Sequence, residues 1–560
     1  MNLRSNYEPG TSRWATRRAM WLALGLSDED MVKPKIAIVN SSSQLAICFS
    51  HLDEVARRAK RAVELAGGVG FEVRTAAPSD FITSAGHRGG YILSARDLIP
   101  NDIEVQVEGA QLDGMICLAS CDKTGPGQLM AAARLNIPTI IVACGYQASG
   151  SYRGRHCDIE DVFLAAGHVA NGRVSVEELT EMSENAVLSP GVCAGFGTAN
   201  TMHLACEALG MALPGSTPVR ANSERMWRAV DEAGARIVEL VHEDLKPRDI
   251  MTPAAFANAV KTILSASGSI NSVKHLQAVA AEAEADADVY RLFETLADEV
   301  PLLTAIRPNG ETPIEEFEDA GGTRALMKQL EPLLDGSART VTGRTVAENL
   351  AGVTVADTGV IRPPERALGR RPTIVLIRGS LCPDGGIVKL AVADDRQLEF
   401  AGPAVVFESP LESLDGVRTG KVHPGHVVVL RGQGVTGSPG MGMASQLVFA
   451  LDGAGLTGQV AVVTDGQLSG LVNKGIVVGE VSPEAAKGGP LALVEEGDTI
   501  RIDVPGRTAD LDVPAGELAR RKAALGARPP TAEVGWLSVY QRLVRPLPEG
   551  AVLRPKETAP

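Results

Sequence analysis

Short apolar runs alternate with helix-like spacings along the first third of the chain. Residues 35–40 and 114–119 are apolar runs of the length typical of buried parallel strands. Residues 54–66 have apolar positions at helical spacing and end at two consecutive glycines, which commonly terminate helices. The pattern also predicts a helix over 128–135 and a strand over 137–143. This strand–helix–strand order is typical of a parallel sheet with crossover helices.

The remaining two thirds change character twice. Residues 222–334 are rich in Ala and Glu, with apolar positions three and four apart, which predicts helices added to the first domain. Residues 353–372 carry Gly, Pro, Arg and Asp without periodicity, and we interpret them as a linker. Beyond this linker the pattern predicts short strands over 427–430, 460–463 and 491–494.

The last part of the chain contains a hairpin signal. Residues 499–504 and 508–513 alternate apolar and polar positions around a Pro-Gly turn. The predicted fold class is therefore α/β. We expect an N-terminal parallel-sheet α/β domain with added helices over 1–352. A mainly β domain over 373–560 should follow it, barrel-like or, alternatively, a sandwich.

Composition and charge narrow the function classes. Hydrophobic residues make up 44% of the 560 residues and charged residues 22%, which suffices for a large buried core. The net charge of −14 argues against nucleic acid as a partner, because an acidic surface repels phosphate backbones. No apolar stretch reaches the roughly 20 residues that a membrane span needs, and the start lacks a secretory h-region. We therefore expect a soluble, cytoplasmic protein with no membrane or nucleic-acid partner.

Three of the eight cysteines lie in loops that precede predicted helices. Cys48, Cys121 and Cys193 are flanked by Gly, Pro or small residues, where free N–H groups and a helix dipole lower a thiol pKa. Three such thiolates can hold an iron–sulfur cluster and leave one iron open as a Lewis acid. The alternative is that they are buried structural thiols, since free cysteines are often part of a core. That structural role is assigned to the other five: Cys117 (the nearest spare ligand), Cys144, Cys157, Cys206 and Cys382.

Several motifs together identify a known family. They are residues 121–127 (CDKTGPG), 191–202 (GVCAGFGTANTM), 464–470 (TDGQLSG) and 478–486 (VGEVSPEAA), with shorter matches at 268–272 (GSINS) and 439–441 (PGM). Over nearly its whole length the chain resembles the dihydroxy-acid dehydratase and phosphogluconate/sugar-acid dehydratase family of hydro-lyases. The resemblance implies a small hydroxy-acid substrate. Water would be eliminated from a 2,3-dihydroxy acid, either a sugar acid or a branched-chain acid, to give a 2-keto acid. It also implies a homodimer or homotetramer.

The resemblance further implies the ligands of an iron–sulfur cluster. Cys48, Cys121 and Cys193 match the three cluster ligands of members that carry [2Fe–2S]. Some members lack the first of these cysteines and carry [4Fe–4S], so [2Fe–2S] is favoured here. The amino-terminal domain is expected to carry the cluster, and the carboxyl-terminal domain is expected to close over it.

Four further residues match functional positions of the family. Asp80 and Asp122 match magnesium ligands, and carboxylate oxygens suit Mg²⁺. Lys123 matches a lysine that is carbamylated in some members and then becomes another ligand. Ser469 matches the proposed catalytic base, an alkoxide whose pKa an adjacent cation would lower. An isolated Asp or Ser in a loop is more often a turn or helix-cap residue, so it is the joint pattern that favours these roles.

The sequence departs from the family pattern at three places near the expected substrate. Residues 439–444 read PGMGMA where the family has PGMPEM, so Met443 replaces a Mg²⁺-binding glutamate, and a thioether is a poor partner for Mg²⁺. Either fewer carboxylates hold the ion, or another acid substitutes, or the activity is altered. The run 470–475 after the serine is longer than usual, and the loop 80–87 is shifted. The alternative function is therefore a catalytically altered or non-enzymatic relative that binds a small hydroxy acid.

Overall fold

The computed structural model describes residues 3–86, 89–169, 172–392, 396–469, 472–526 and 533–553. The strands in these ranges are β1 (Lys35–Asn40), β2 (Val69–Arg74), β3 (Gly114–Ala119), β4 (Thr139–Ala143), β5 (Gly150–Tyr152), β6 (Arg155–Cys157), β7 (Ile374–Ile377), β8 (Gly385–Lys389), β9 (Glu399–Phe407), β10 (Val427–Leu430), β11 (Ala461–Thr464), β12 (Ile476–Ser482), β13 (Thr499–Asp503) and β14 (Thr508–Leu511).

The α-helices in the same ranges are α1 (Ser12–Ala23), α2 (Leu52–Leu65), α3 (Asp80–Thr83), α4 (Gly90–Val107), α5 (Thr124–Leu135), α6 (Ile159–Ala166), α7 (Val176–Asn185), α8 (Thr198–Ala208), α9 (Glu224–Glu243), α10 (Pro247–Ile250), α11 (Pro253–Ser265), α12 (Asn271–Ala283), α13 (Val289–Leu296), α14 (Ile314–Asp319), α15 (Gly322–Leu330), α16 (Val346–Leu350), α17 (Pro410–Arg418), α18 (Ser445–Gly453), α19 (Ala515–Ala524) and α20 (Gly535–Leu543).

The N-terminal region is built on a parallel sheet. Its four strands follow the order β2-β1-β3-β4 and all run parallel, which confirms the predicted arrangement. All residues of β1, β3 and β4 are buried, because α2, α4, α5 and α9 pack against the sheet. Burial on this scale explains why their sequences are continuous apolar runs rather than alternating ones. The helix predicted from residue 128 begins earlier, at Thr124, since the first turn of a helix tolerates Pro126.

Helices occupy the stretch that the sequence predicts to be helical, from α9 to α15. Ser223 and Thr252 begin two of them as N-caps, with side-chain oxygens that accept from the N–H groups of Met226 at 3.2 Å and Ala255 at 3.4 Å. Helix α12 packs against α5, which follows the loop of Cys121. This contact brings the start of α12 to the candidate site.

The C-terminal region is a nearly closed, barrel-like sheet. Its eight strands follow the order β14-β13-β9-β10-β11-β12-β8-β7. Strands β9 to β12 run parallel to one another, and the outer pairs run antiparallel. The two edges meet after β7, where the N–H of Arg378 donates to the carbonyl oxygen of Arg507 at 3.0 Å. The mainly β, barrel-like prediction and the β13–β14 hairpin are therefore confirmed.

One strand prediction is wrong. The run 491–494 lies in and directly after a 3-10 helix, Pro490–Leu493. Pro490 has no N–H to donate to a sheet, and its fixed φ suits a first helical turn. Leu491 and Val494 are buried in the core of the barrel, so the apolar run reflects burial rather than strand pairing.

The two regions share a buried core. Val428 and Val462 of the barrel belong to the same apolar cluster as Ile38 and Ile116 of the parallel sheet. Residues 353–372 are described throughout and contain no α-helix or strand, and their assignment as a domain linker stays a prediction. Within the part of the chain that the structure describes, none of the helices combines the length and apolar character needed to cross a membrane.

Candidate active site

Two of the predicted cysteine loops meet at one edge of the parallel sheet. Cys48 lies in the short 3-10 turn after β1, and Cys121 lies two residues after β3. Because β1 and β3 are parallel neighbours, their carboxyl ends lie side by side. The Ser120 hydroxyl donates to the carbonyl oxygen of Cys48 at 2.6 Å. The thiols of Cys48 and Cys121 lie close enough for each to shift the pKa of the other.

Cys193 reaches the same place from a loop before α8. A β-bridge joins this loop to the segment after β4. The side-chain amide of Asn200 donates to the carbonyl oxygens of Cys193 and Gly195, at 2.8 and 2.9 Å, and so fixes the loop onto α8. Cys193 and Cys121 line one cavity. The three cysteines predicted from the sequence are therefore brought together.

The spare cysteines differ in surroundings and chemistry. Cys117 lies within β3 and near Cys206 of α8, and burial raises the pKa of both thiols. Of the described residues that line the cavity, the cysteines are Cys121 and Cys193. The neighbouring Cys121 thiol lowers the pKa of Cys48, which favours its thiolate form. The Cys48 thiol and burial raise the pKa of Cys121, and burial raises the pKa of Cys193, so the lowered pKa expected from the sequence is wrong for these two thiols.

Two carboxylates and a lysine form an ion cluster beside the cysteines. The Lys123 ammonium is 2.8 Å from Asp80 Oδ2 and 3.8 Å from Asp122 Oδ2. Burial opposes the charge of Lys123, but the two carboxylates outweigh it and hold its pKa above the usual value. Burial and the neighbouring Asp80 charge raise the pKa of Asp122 to about 7. The other Asp80 oxygen, Oδ1, is buried without a hydrogen-bond partner among the described residues.

Ser469 and Met443 reach the cavity from the barrel. Ser469 follows β11, and its backbone N–H donates to the hydroxyl oxygen of Ser445 at 2.6 Å, which ties the loop to the start of α18. Met443 forms a β-bridge with Gln467 of the same loop. A Cβ placed on Gly89 would lie only 2.8 Å from Met443 Cγ, so the methionine packs tightly against α4.

A cavity of about 100 Å³ collects these side chains between the parallel sheet and the barrel. Its polar lining includes Asp80, Cys121, Asp122, Glu160, Cys193 and Ser469. Its apolar lining includes Phe81, Ile92, Phe163, Met443 and Leu468. The other two predicted site residues, Cys48 and Lys123, contact residues of this lining.

Three residues of the site received no role from the sequence. Glu160 of α6 lines the cavity and is 7% exposed. Burial raises its pKa well above the usual range, and it lies against Gly195, where a Cβ would come within 2.3 Å of Oε2. The Thr198 hydroxyl bonds to the Asp122 carboxylate and accepts from the Asn271 amide at 2.9 Å. Thr198 and Asn271 lie in the family motifs 191–202 and 268–272, from which the sequence could have identified them. Glu160 lies at an ordinary helix start, and no sequence pattern marks it as a site residue.

Two of the predicted departures lie partly outside the described residues. The shifted loop 80–87 includes His87, and the lengthened run 470–475 includes Gly470 and Leu471, which the structure does not describe. The third departure is described, because Met443 lines the cavity.

Comparisons with known proteins bear on both regions. The family model described as dihydroxy-acid/6-phosphogluconate dehydratase N-terminal matches residues 33–349, and its C-terminal counterpart matches 359–551. The dihydroxy-acid dehydratase of Caldicellulosiruptor saccharolyticus is 40% identical over 542 residues, which cover 96% of this chain and 98% of that protein. The dihydroxy-acid dehydratase of Moorella thermoacetica is 39% identical with the same coverage. That of Methanococcoides burtonii is 38% identical over 553 residues, 98% of this chain and 99% of that protein.

These matches extend over the parallel sheet, the barrel and the cavity between them. They do not favour the alternative of a non-enzymatic relative, because relatives that match over nearly their whole length are named as dehydratases. The family depends on metal and removes water from dihydroxy acids. The chain belongs to the dihydroxy-acid/6-phosphogluconate dehydratase family and is a hydro-lyase.

Proposed function

We propose that the protein dehydrates a 2,3-dihydroxy carboxylic acid to a 2-keto acid, with an iron–sulfur cluster, Mg²⁺ and a serine base. The observation that carries the proposal is the convergence of three thiols, an acid–lysine cluster and a serine on one cavity. Hydroxide is a poor leaving group, and a proton next to a carboxylate is weakly acidic. The reaction therefore needs both an electrophile and a positioned base.

The thiols of Cys48, Cys121 and Cys193 would hold the cluster. The donor set fits, because soft thiolates select iron–sulfur clusters. The first two thiols also lie close enough for each to shift the pKa of the other. With three protein ligands, a bound cluster supplies an iron with an open position, a Lewis acid for the hydroxyl at C3. The presence of Cys48 favours [2Fe–2S] over [4Fe–4S], by the family resemblance.

Asp80 and Asp122 would hold Mg²⁺, with Lys123 as a counter-charge or, once carbamylated, as a further oxygen ligand. The buried, unpartnered Oδ1 of Asp80 fits a cation, and Mg²⁺ prefers carboxylate oxygens. Met443 offers only a thioether. Glu160 is the further acid that lines the cavity, and we assign to it the carboxylate that position 443 lacks. A bound ion supplies positive charge beside the substrate carboxylate.

Ser469 would take the proton from C2 at its Oγ. The bond from its N–H to Ser445 fixes the loop that presents it. The loop of Ser469 comes from the barrel, and the cysteine loops come from the parallel sheet. The base and the group that would bind the leaving hydroxyl therefore lie on opposite walls of the cavity. With Ser469 as the alkoxide, the electrons of the C2–H bond form a C2=C3 bond as the C3–O bond breaks, and the departing hydroxide takes the proton back from Ser469 Oγ and leaves as water. The resulting enol loses the proton of its C2 hydroxyl, gains a proton at C3 and becomes the 2-keto acid.

The apolar wall of the cavity favours an alkyl substituent on the substrate. Phe81, Ile92, Phe163 and Leu468 form much of this wall. Phe163 packs edge to face on Phe81, with ring centroids 5.5 Å apart. The hydroxyls of a sugar acid would lose water there without gaining partners, which is costly. A short branched-chain dihydroxy acid is therefore the substrate class that the cavity supports best, in line with relatives named dihydroxy-acid dehydratase.

The test is 2-keto acid formation by anaerobically reconstituted protein with Mg²⁺. We expect kcat/KM for a branched dihydroxy acid to exceed that for aldonates at least about tenfold, since two buried methyl groups contribute roughly 1.6 kcal/mol. Ser469→Ala should lose at least about 100-fold in kcat. The control Ser413→Ala, at a buried serine that donates to the Pro410 carbonyl at 2.7 Å in α17, should not. Preference for aldonates would refute the substrate class, and an active Ser469→Ala protein would refute the base.

A further inference from the structure

A buried ion pair joins the two regions beside the candidate active site. Lys274 of α12 and Glu480 of β12 form a salt bridge in which the side chains are 0% and 3% exposed. The Lys274 ammonium also donates to Asn271 Oδ1 at 2.5 Å. These residues are 206 positions apart in sequence, so the pair fixes the barrel against the helices of the N-terminal region.

From Lys274 a chain of hydrogen bonds leads to Thr198, the neighbour of the Asp122 carboxylate in the proposed metal site. An ammonium can only donate, so the oxygen of Asn271 must face it and the NH₂ group must face the other way. That NH₂ donates to Thr198 Oγ1 at 2.9 Å. The Thr198 oxygen therefore acts as an acceptor there, so the charge on Lys274 fixes the direction of the bonds up to Thr198. Thr198 Oγ1 also lies 3.0 Å from the Ser269 hydroxyl, which accepts from the N–H of Asn271 and can donate its own proton to Thr198. The Thr198 proton is then left for the neighbouring Asp122 carboxylate, whose pKa the hydroxyl lowers.

In the other direction the pair reaches the loop of Ser469. The backbone N–H of Glu480 donates to the carbonyl oxygen of Gly466 at 3.1 Å, three residues before Ser469. Glu480 has φ of +57°, in the left-handed region that disfavours residues with a side chain. Glycine would adopt this backbone without strain. The presence of a carboxylate at such a position indicates that the side chain itself has a role.

We propose that Lys274 and Glu480 are positioning residues that set the orientation of the Asp122 carboxylate relative to Ser469. The inference rests on the proposed function, in which these two groups act on the same substrate. Without the ammonium, the Asn271 amide is free to rotate, and the Thr198 proton is no longer directed at Asp122. Without the pair, the Ser469 loop also loses its side-chain anchor to the N-terminal region.

A purely structural ion pair makes a different prediction. Removing one partner of a buried pair leaves an uncompensated charge and destabilises the protein, whereas replacing both with apolar residues of similar volume usually restores stability. The informative variants are therefore Lys274→Met, Glu480→Met and the double variant. The control is Arg134→Met, which breaks the pair of Arg134 with Glu282, a residue that is also on α12 and buried, with an N–O distance of 2.8 Å.

Three quantities distinguish the two accounts: the melting temperature, the Kd for Mg²⁺ from calorimetry, and kcat and KM separately. We expect both single variants to melt at lower temperature and the double variant to recover. In the double variant, Mg²⁺ should still bind at least about tenfold more weakly and kcat should fall at least about tenfold with little change in KM, as for other residues that orient metal ligands. Arg134→Met should lower the melting temperature and leave kcat and the Mg²⁺ affinity unchanged.

Recovery of melting temperature, Mg²⁺ affinity and kcat together in the double variant would overturn the inference and leave the pair a structural one. The Mg²⁺ measurement needs no turnover, so it tests the inference even if the substrate class is wrong. A wild-type protein that neither binds Mg²⁺ nor turns over any dihydroxy acid would refute the proposed function, and the inference with it.

Discussion

A methyl group added at Gly195 should disturb the site through Glu160. The Cβ of an alanine at position 195 would lie 2.3 Å from Oε2 of Glu160 and 2.5 Å from its Cδ and Oε1. Ordinary van der Waals contact for a Cβ begins near 3.4 Å, so the carboxylate must retreat by roughly 1 Å. The atoms in contact are the far end of a flexible side chain, so the cost should be about 1 kcal/mol, the low end for overpacking of a buried region. The displaced carboxylate would also no longer reach the cavity in the same position.

Gly125→Ala is the matched control for this substitution. Gly125 lies in the first turn of α5, and a Cβ there would meet Met202 Cβ at 3.6 Å, an ordinary contact. Alanine should therefore stabilise the helix by about 0.5–1 kcal/mol. Urea unfolding of the two variants should thus show midpoints displaced in opposite directions from the wild type. Mg²⁺ binding should weaken in Gly195→Ala and stay unchanged in Gly125→Ala.

A double variant tests whether Glu160 is the cause. If Gly195→Ala acts by pushing the carboxylate away, then adding it to Glu160→Ala should cost almost nothing further, because the two substitutions share one contact. A Gly195→Ala protein as stable as Gly125→Ala would refute the placement of Glu160. A double variant whose loss of unfolding free energy equals the sum of the losses in the two single variants would refute it as well.

Three further results are expected from the interior and the metal site. Lys389 is buried, and burial lowers its pKa to about 7. The amine of the unfolded chain keeps its proton up to about pH 10, so the folded state becomes more stable relative to the unfolded state as the pH rises above 7. Between pH 7 and 9 the free energy of unfolding in urea should therefore rise by about 2 kcal/mol more for the wild type than for Lys389→Met. Parallel plots of unfolding free energy against pH for the two proteins would contradict this. Met443→Glu adds a hard oxygen donor and should lower the half-saturating Mg²⁺ concentration about tenfold; an unchanged value would show that position 443 does not face the ion. Chelation of Mg²⁺ should abolish turnover but leave the visible absorbance of the cluster, since acids and thiols form separate ligand sets; loss of both would contradict that separation.

The sequence predicts the frame of the fold well because its signals are local. The strand Lys35–Asn40 is fully buried, and such burial leaves a continuous apolar run that can be recognised without knowing its neighbours. The order of strand and helix around Cys121 predicts parallel strands, and this places the loop at a carboxyl end. An apolar run alone does not separate a strand from other buried segments, and the 3-10 helix Pro490–Leu493 is the resulting error.

The parts of the site that the sequence does not predict depend on distant pairings. Glu160 acquires its place only when α6 packs against the loop of Gly195, 35 positions later in the chain. The pair of Lys274 with Glu480 spans 206 positions, and neither residue stands out where it occurs. Burial of such groups is a property of the assembled core, and no local pattern of apolar and polar residues encodes it.

The central claim is that Cys48, Cys121 and Cys193 together hold an iron–sulfur cluster in the cavity. Iron and acid-labile sulfide analysis of anaerobically purified protein tests it most directly, with Cys193→Ser compared with Cys206→Ser, a buried thiol of α8. We expect about two iron and two sulfide per chain in the wild type and in Cys206→Ser, and loss of both in Cys193→Ser. A wild-type protein without iron or sulfide, or a Cys193→Ser protein that keeps the full complement, would contradict the account.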